Sequence, residues 1–204
     1  MQSVSQVAAV IAERARGARR FVVALAGPPG AGKSMLSHLL AEALDDAAIL
    51  QGDGFHYDNA VLDVIGRRHR KGAPDTFDVA GLESVLRRVR AGEEVAVPVF
   101  DRPLDLARAG AARISQSARF VIVEGNYLTL DAAPWNALRP LFDLTILIDV
   151  PRDELERRLT RRWLDLGWSA ERAKHWVASN DMPNVDLVKA KGGSADIVWR
   201  PQAI

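Results

Sequence analysis

The chain has 204 residues, 48 % of them hydrophobic, which suits one domain with a packed interior and argues against disorder. Lys and Arg number 27 against 26 Asp and Glu, and the formal net charge of +1 excludes a global attraction to nucleic acid or to a membrane surface. The absence of cysteine excludes disulfides, thiolate nucleophiles and Cys-ligated zinc, and fits a reducing compartment.

In chain order, residues 1–20 carry Val4, Val7, Ala8 and Ile11 at helical spacing, without the long apolar core of a secretion signal. No apolar run reaches the ~20 residues of a membrane span, so a soluble cytoplasmic protein with no nucleic-acid or membrane partner is expected. Residues 21–26, Phe-Val-Val-Ala-Leu-Ala, are continuously apolar, as in a strand buried on both faces of a parallel sheet. Residues 47–51, 120–123, 144–148 and 195–199 are the other strand candidates. Residues 95–100 read as a shorter strand, with Pro98 pointing to an edge or a strand end. Helices are expected over 34–44, 79–90 and 153–166, each with apolar residues three and four apart. The polar stretch 52–76 is the least regular and reads as a functional loop. Strands alternating with helices predict an α/β fold with a mainly parallel sheet, and the whole of 1–204 reads as a single domain.

Between the first strand and the first long helix stands Gly27-Pro28-Pro29-Gly30-Ala31-Gly32-Lys33-Ser34, which matches G-x-x-x-x-G-K-[ST] at every fixed position. The glycines let the backbone N–H groups curl toward phosphate oxygens, and the helix start adds positive potential. Lys33 is a cation for the outer phosphates, and Ser34 can ligate Mg²⁺. The nucleotide site is thus read as residues 27–35, through Met35, with ATP and Mg²⁺ as cofactors. A dinucleotide-binding turn is the competitor, since Asp53 follows at a suitable distance. Its glycine spacing differs, and it has no use for the Lys-Ser pair.

Asp53 lies just past the second strand, where ligands of such sheets bind, and can take or orient the proton of an attacking hydroxyl. His56, three residues on, can touch the acceptor or tune Asp53. Asp53-Gly54-Phe55-His56, Arg70-Lys71-Gly72-Ala73-Pro74-Asp75-Thr76-Phe77-Asp78, Val97-Pro98-Val99-Phe100-Asp101 and Val121-Ile122-Val123-Glu124-Gly125-Asn126-Tyr127 follow in that order. The series resembles the uridine kinase, pantothenate kinase and phosphoribulokinase group of P-loop kinases over roughly residues 21–199.

The resemblance implies a P-loop three-layer α/β/α sandwich, a mainly parallel five-stranded sheet, and a small helical lid within about 152–180. It implies Asp53 as catalytic base, Lys71, Gly72, Pro74 and Asp78 in the acceptor pocket, and Glu124 near the magnesium. Asn126 is placed with the acceptor. It implies lid arginines over the phosphates: Arg157 and Arg161, four apart on one face, with Arg158 and Arg162 as the rival pair. Asn184 is expected in a loop that approaches the adenine. Trp163, Trp168, Trp176 and Trp199 are read as packing residues. Related kinases often pair, which implies a homodimer.

The chain departs from its relatives after Phe100. Arg102 and Asp105 stand where uridine and pantothenate kinases carry other residues, and they suit a small polyhydroxylated acceptor or one with an anion. The sequence is most similar to a bacterial subset labelled as kinases of sugar-transport operons, so the acceptor suggested is a sugar such as fructose. Nucleoside-type and pantothenate-type kinases are the alternatives. A GTPase-like switch would need an N-K-x-D motif, which is missing. A non-catalytic nucleotide-binding subunit would not need intact Lys33, Ser34, Asp53 and Glu124.

Overall fold

A computed structural model describes residues 3–201. Five parallel strands form the central sheet: β1 (Phe21–Ala26), β2 (Ala47–Gln51), β5 (Phe120–Gly125), β6 (Leu144–Ile148) and β7 (Ile197–Trp199). Their order is β2-β5-β1-β6-β7. Alternate residues of β1 enter opposite cores, as the two-residue period of a strand requires. Val22, Ala24 and Ala26 face one, and Phe21, Val23 and Leu25 the other.

The first core is closed by α4 (Val79–Arg90) through Leu82, Leu86 and Val89, and by Leu138 and Leu141 of a 3-10 segment. The second is closed by α1 (Val4–Arg14), α2 (Lys33–Ala43) and α5 (Arg152–Asp165), which supply Val7, Ile11, Leu36, Leu40, Leu155 and Leu159. The result is the three-layer α/β/α sandwich with a five-stranded parallel sheet. No helix among the described residues is long and apolar enough to cross a membrane.

Residues 95–100 are not in this sheet. They lie within β3 (Val95–Asp101), which pairs antiparallel with β4 (Leu106–Ile114) in a separate ribbon. The register slips between Val97 and Val99, at Pro98, where proline removes a ladder donor. A four-residue turn, 102–105, closes the ribbon, and Asp105 takes φ 52°, a conformation Asp tolerates better than most residues. The ribbon packs on the short 3-10 turn Gly52–Phe55. A Cβ at Gly54 would lie 2.6 Å from the carbonyl oxygen of Pro98. Gly54→Ala is therefore expected to destabilise the fold by about 1–3 kcal/mol, the cost of overpacking a tight contact. For a chain of this size that lowers Tm by about 2–4 °C per kcal/mol. A thermal melt would show it, and an unchanged Tm would mean the ribbon gives way freely.

Helix α5 leads through Gly167 into α6 (Ala170–Trp176), a π-turn (Val177–Asp181) and α7 (Met182–Lys191). Asn184 thus sits on a helix, not in the loop expected for it. Proline at position 183 fits the first turn of α7, where its missing N–H costs nothing.

Candidate active site

Three strands end level with one another. Glu124 of β5 pairs in register with Leu25 of β1 and Gln51 of β2. The glycine-rich loop after β1, the Gly52–Phe55 turn after β2 and the Glu124-Gly125-Asn126 corner after β5 therefore share one rim. They open on a cleft of about 1420 Å³, lined by Lys33, Ser34, Asp53, His56, Glu124 and Asn126 among others.

The loop has the backbone its glycines predict. Gly30 and Gly32 have φ of 81° and 88°, in the left-handed region that favours glycine. Gly32 is also the N-cap of α2. Gly27 is packed beside Ile148, so a side chain there would crowd β6. Gly27, Pro28 and Ala31 are buried supports, while Pro29, Gly30, Gly32, Lys33, Ser34 and Met35 line the cleft. The Lys33 ammonium donates to Pro28 O at 3.1 Å and to Asn126 Oδ1 at 2.6 Å. Burial pulls it down to about 8, against the opposing pull of Glu124 and Asp53.

Ser34 Oγ donates to Glu124 Oε1 at 3.3 Å. A hydroxyl beside a carboxylate at a phosphate loop is the oxygen donor set that suits Mg²⁺. Burial, reinforced by Asp53, raises the Glu124 carboxyl, which a bound cation would reverse.

Burial alone would also raise Asp53, but Arg102 outweighs it, helped by His56 and Lys33, and the carboxyl is held well below the usual range. Arg102 Nη2 lies 2.5 Å from Asp53 Oδ2. The two carboxyls are thus pushed in opposite directions, Glu124 up by burial and Asp53 down by its cationic neighbours. His56 Nδ1 donates to Asp53 O at 2.7 Å, since a carbonyl can only accept. Burial lowers the ring's pKa, against the opposing pull of Asp53. Phe77 and Phe100 hold it, with centroids 3.9 and 4.9 Å away.

Residues 70–77, the segment expected at the acceptor pocket and so termed the acceptor loop, are fastened from behind. Tyr127 Oη donates to Gly72 O at 2.6 Å, and Trp135 Nε1 to Pro74 O at 3.1 Å. Lys71 Nζ lies 3.1 Å from Asp105 Oδ1 and donates to Asn59 Oδ1 at 2.6 Å. Lys71 and Asp105 both line the cleft, but they also tie the acceptor loop to the tip of the ribbon.

Asp78 does not join the site. It is the N-cap of α4, its Oδ1 accepting from Gly81 N at 2.8 Å, because an Asp opening a helix answers an orphan N–H first. Asn126 is at the phosphate loop, bound by Lys33. Asn184 is buried in the cleft wall against the acceptor loop, accepting from Arg70 Nη2 at 3.3 Å. Arg157 and Arg161 line the outer cleft and project outward, with 71 % and 73 % of their side-chain surface exposed. They pair with Glu154 and Asp165. The rival pair stands nearer the phosphate loop: Arg158 Nη1 is 4.0 Å from where a Cβ on Gly32 would stand, and Arg162, exposed but lining the cleft, follows one turn on along the same helical face. The turn of α5 on the sheet decides this, since Leu155 and Leu159 must face the core.

Asn180, Asp181, Trp163, Trp168, Trp176 and Arg172 also line the cleft, and the sequence did not mark them as site residues. The tryptophans do pack on one another, as expected, but their cluster forms part of the wall. Trp199 is buried in the core. The signal that could have found the others is the concentration of Trp, Asn and Asp between 163 and 184, dense in polar-tipped groups for a plain helical pair.

A profile of the Phosphoribulokinase / Uridine kinase family matches residues 22–200. Escherichia coli (strain K12) has an uncharacterized protein, YggC, that is 38 % identical over 186 residues, covering 88 % of this chain and 77 % of that one. The pantothenate kinase of Sorangium cellulosum is 34 % identical over 180 residues, 84 % of this chain and 58 % of that protein. A crystal structure from Silicibacter sp. TM1040, described as a "putative fructose transport system kinase", superposes with a TM-score of 0.93 at 40 % identity, covering 98 % of this chain and 100 % of the other. The chain belongs to the Phosphoribulokinase / Uridine kinase family. It is a P-loop kinase that transfers a phosphoryl group to a hydroxyl of a small-molecule acceptor.

Proposed function

We propose that the chain transfers the γ-phosphoryl group of ATP to a hydroxyl of a small polyhydroxylated acceptor, with a sugar such as fructose as the leading candidate. One observation carries this reading: Asp53, paired with Arg102 at 2.5 Å, shares a cleft with the phosphate-loop Lys33 and Ser34. Arg102 and Asp105 replace the residues of nucleoside and pantothenate sites, and alternating charges with amides suit many hydroxyls.

In the reaction, the acceptor hydroxyl oxygen forms a bond to the γ-phosphorus while the bond to the β–γ bridging oxygen breaks. That bonding pair leaves with ADP, and the hydroxyl proton passes to Asp53. A carboxyl held low is a weak base, so Asp53 chiefly orients the hydroxyl and takes its proton late, which suits a loose transition state. Lys33 balances charge on the outer phosphates. Arg158 and Arg162, in place of Arg157 and Arg161, face the migrating group. Mg²⁺, held by Ser34 with Glu124 beside its waters, would supply charge neutralisation. Asn184 serves the acceptor loop in this reading, not the adenine.

The test is ADP release across fructose, other sugars and polyols, nucleosides, pantothenate and ribulose phosphate, with Lys33→Ala run in parallel. Release should depend on one class of acceptor and fall about 10²–10³-fold in the variant, the usual cost of losing a group that stabilises transition-state charge. Release independent of every acceptor would sink the assignment.

A further inference from the structure

Strand β5 lies between β1 and β2 in the sheet, so the corner that follows it stands between the phosphate loop and Asp53. The approach on the Asp53 side is close: a Cβ at Gly52 would lie 2.8 Å from Glu124 O and 3.4 Å from Gly125 Cα. Gln51 and Glu124 pair in register, so Asp53 and Asn126 each follow that pair by two residues on neighbouring strands. On the other side Asn126 reaches the phosphate loop, its Oδ1 accepting from the Lys33 ammonium at 2.6 Å. Tyr127 pins the corner from within: its side chain is buried, and its hydroxyl donates to Gly72 O at 2.6 Å.

The pairing with Lys33 sets the direction of the amide. An ammonium only donates, so the oxygen of Asn126 faces it and the NH₂ group takes the opposite branch. The N and O of a planar amide stand about 2.3 Å apart, which puts Nδ2 within about 5 Å of the Lys33 nitrogen. Among the described residues Nδ2 has no hydrogen-bond partner, and Asn126 is half-buried and lines the cleft. Lys33 meanwhile gives two of its three N–H bonds to Pro28 O and Asn126 Oδ1, which leaves one for the outer phosphates. A migrating phosphoryl group spreads its charge over three equatorial oxygens, and these only accept. The two N–H bonds of a neighbouring amide answer that need.

We propose that Asn126 is a further catalytic residue of the transfer: its Nδ2 donates to an oxygen of the γ-phosphoryl group as that group moves from the phosphate loop toward Asp53, while its Oδ1 fixes the ammonium of Lys33. The sequence alone set Asn126 with the acceptor. Its bond to Lys33, and the place of β5 between β1 and β2, move it to the phosphoryl group. An uncharged donor has a physical use here. Lys33, Arg158 and Arg162 already bring positive charge to the cleft, and an amide adds hydrogen bonds without adding repulsion among them. The inference rests on the kinase reading above.

Calorimetry with two probes tests it, each with Mg²⁺: ADP, and a non-hydrolysable ATP analogue that adds the γ-phosphoryl group. Neither probe needs an acceptor. Asn126→Ala deletes the amide. Asn126→Asp keeps its shape and an oxygen facing Lys33, but exchanges the NH₂ for a carboxylate oxygen. In Asn126→Ala the analogue should bind about 10–100-fold more weakly, the scale of a hydrogen bond to a charged group, while ADP affinity should not change. In Asn126→Asp the ratio of analogue to ADP affinity should fall at least as far, because an anion then faces the phosphoryl oxygens. If Asn126→Ala melts early, the isosteric Asp variant carries the test. A ratio unmoved in either variant overturns the proposal: if both affinities hold, Asn126 returns to the acceptor, and if both fall together, it acts only by setting Lys33 and its loop. A wild type that binds neither probe overturns the kinase reading instead.

Discussion

Asp53→Asn should lower kcat by about 10²-fold or more while leaving nucleotide affinity nearly unchanged, following the range for a lost general base. The amide keeps the shape of the carboxylate and its place beside His56, so binding surfaces persist. It loses the capacity to take the hydroxyl proton. It also leaves the Arg102 guanidinium without its counter-charge; Arg102 is 48 % exposed, and water can solvate it, so the fold should tolerate the change. Single-turnover measurements at saturating nucleotide separate the chemical step from binding. Near-normal turnover would remove Asp53 from the mechanism.

Arg102→Ala should raise the acceptor KM by about 10–100-fold, the scale of a charge-assisted hydrogen bond, and should also change the pH profile. Arg102 is the main cation holding the Asp53 carboxyl down against burial. Without it the ionised form is less favoured and the pKa of Asp53 rises. The ionised form is the one that accepts the proton, so the acid limb of kcat/KM moves to higher pH, and activity is lost earlier as pH falls. Asp53 has two oxygens, and Arg102 holds Oδ2, so an acceptor hydroxyl can approach through the other. The two readouts divide the roles of Arg102. A shifted acid limb with unchanged acceptor KM would leave it as a positioning residue for Asp53 alone. An unchanged limb and an unchanged KM together would leave it without either role.

Much of the architecture was written in local pattern. The five sheet strands are runs of β-branched and apolar residues, and a run buried on both faces can only be central. The glycine-rich loop was legible because backbone phosphate binding needs glycine and a following helix at fixed offsets, and Gly30 and Gly32 do take the left-handed conformation. Asp53 was legible because strand ends of a parallel sheet converge on one rim, and Glu124 through the resemblance of its segment to the kinase group.

What the pattern hid depends on distant partners. Strand β4, Leu-Ala-Arg-Ala-Gly-Ala-Ala-Arg-Ile, has little strand preference of its own and exists because β3 pairs with it. Asp78 sits in a motif shared with acceptor pockets, yet the N–H of Gly81 claims it. The arginine pair could not be chosen from spacing, since both pairs recur every four residues; the burial of Leu155 and Leu159 set the rotation of α5. Trp176 looked like a packing residue and Asn180 was not singled out, yet folding places both in the cleft wall. Periodicity and loop chemistry are properties of neighbours in sequence, so the chain alone determined its sheet, its phosphate loop and the carboxylates at the rim. Which polar atoms remain free for a substrate is a property of neighbours in space, and only the tertiary structure decided it.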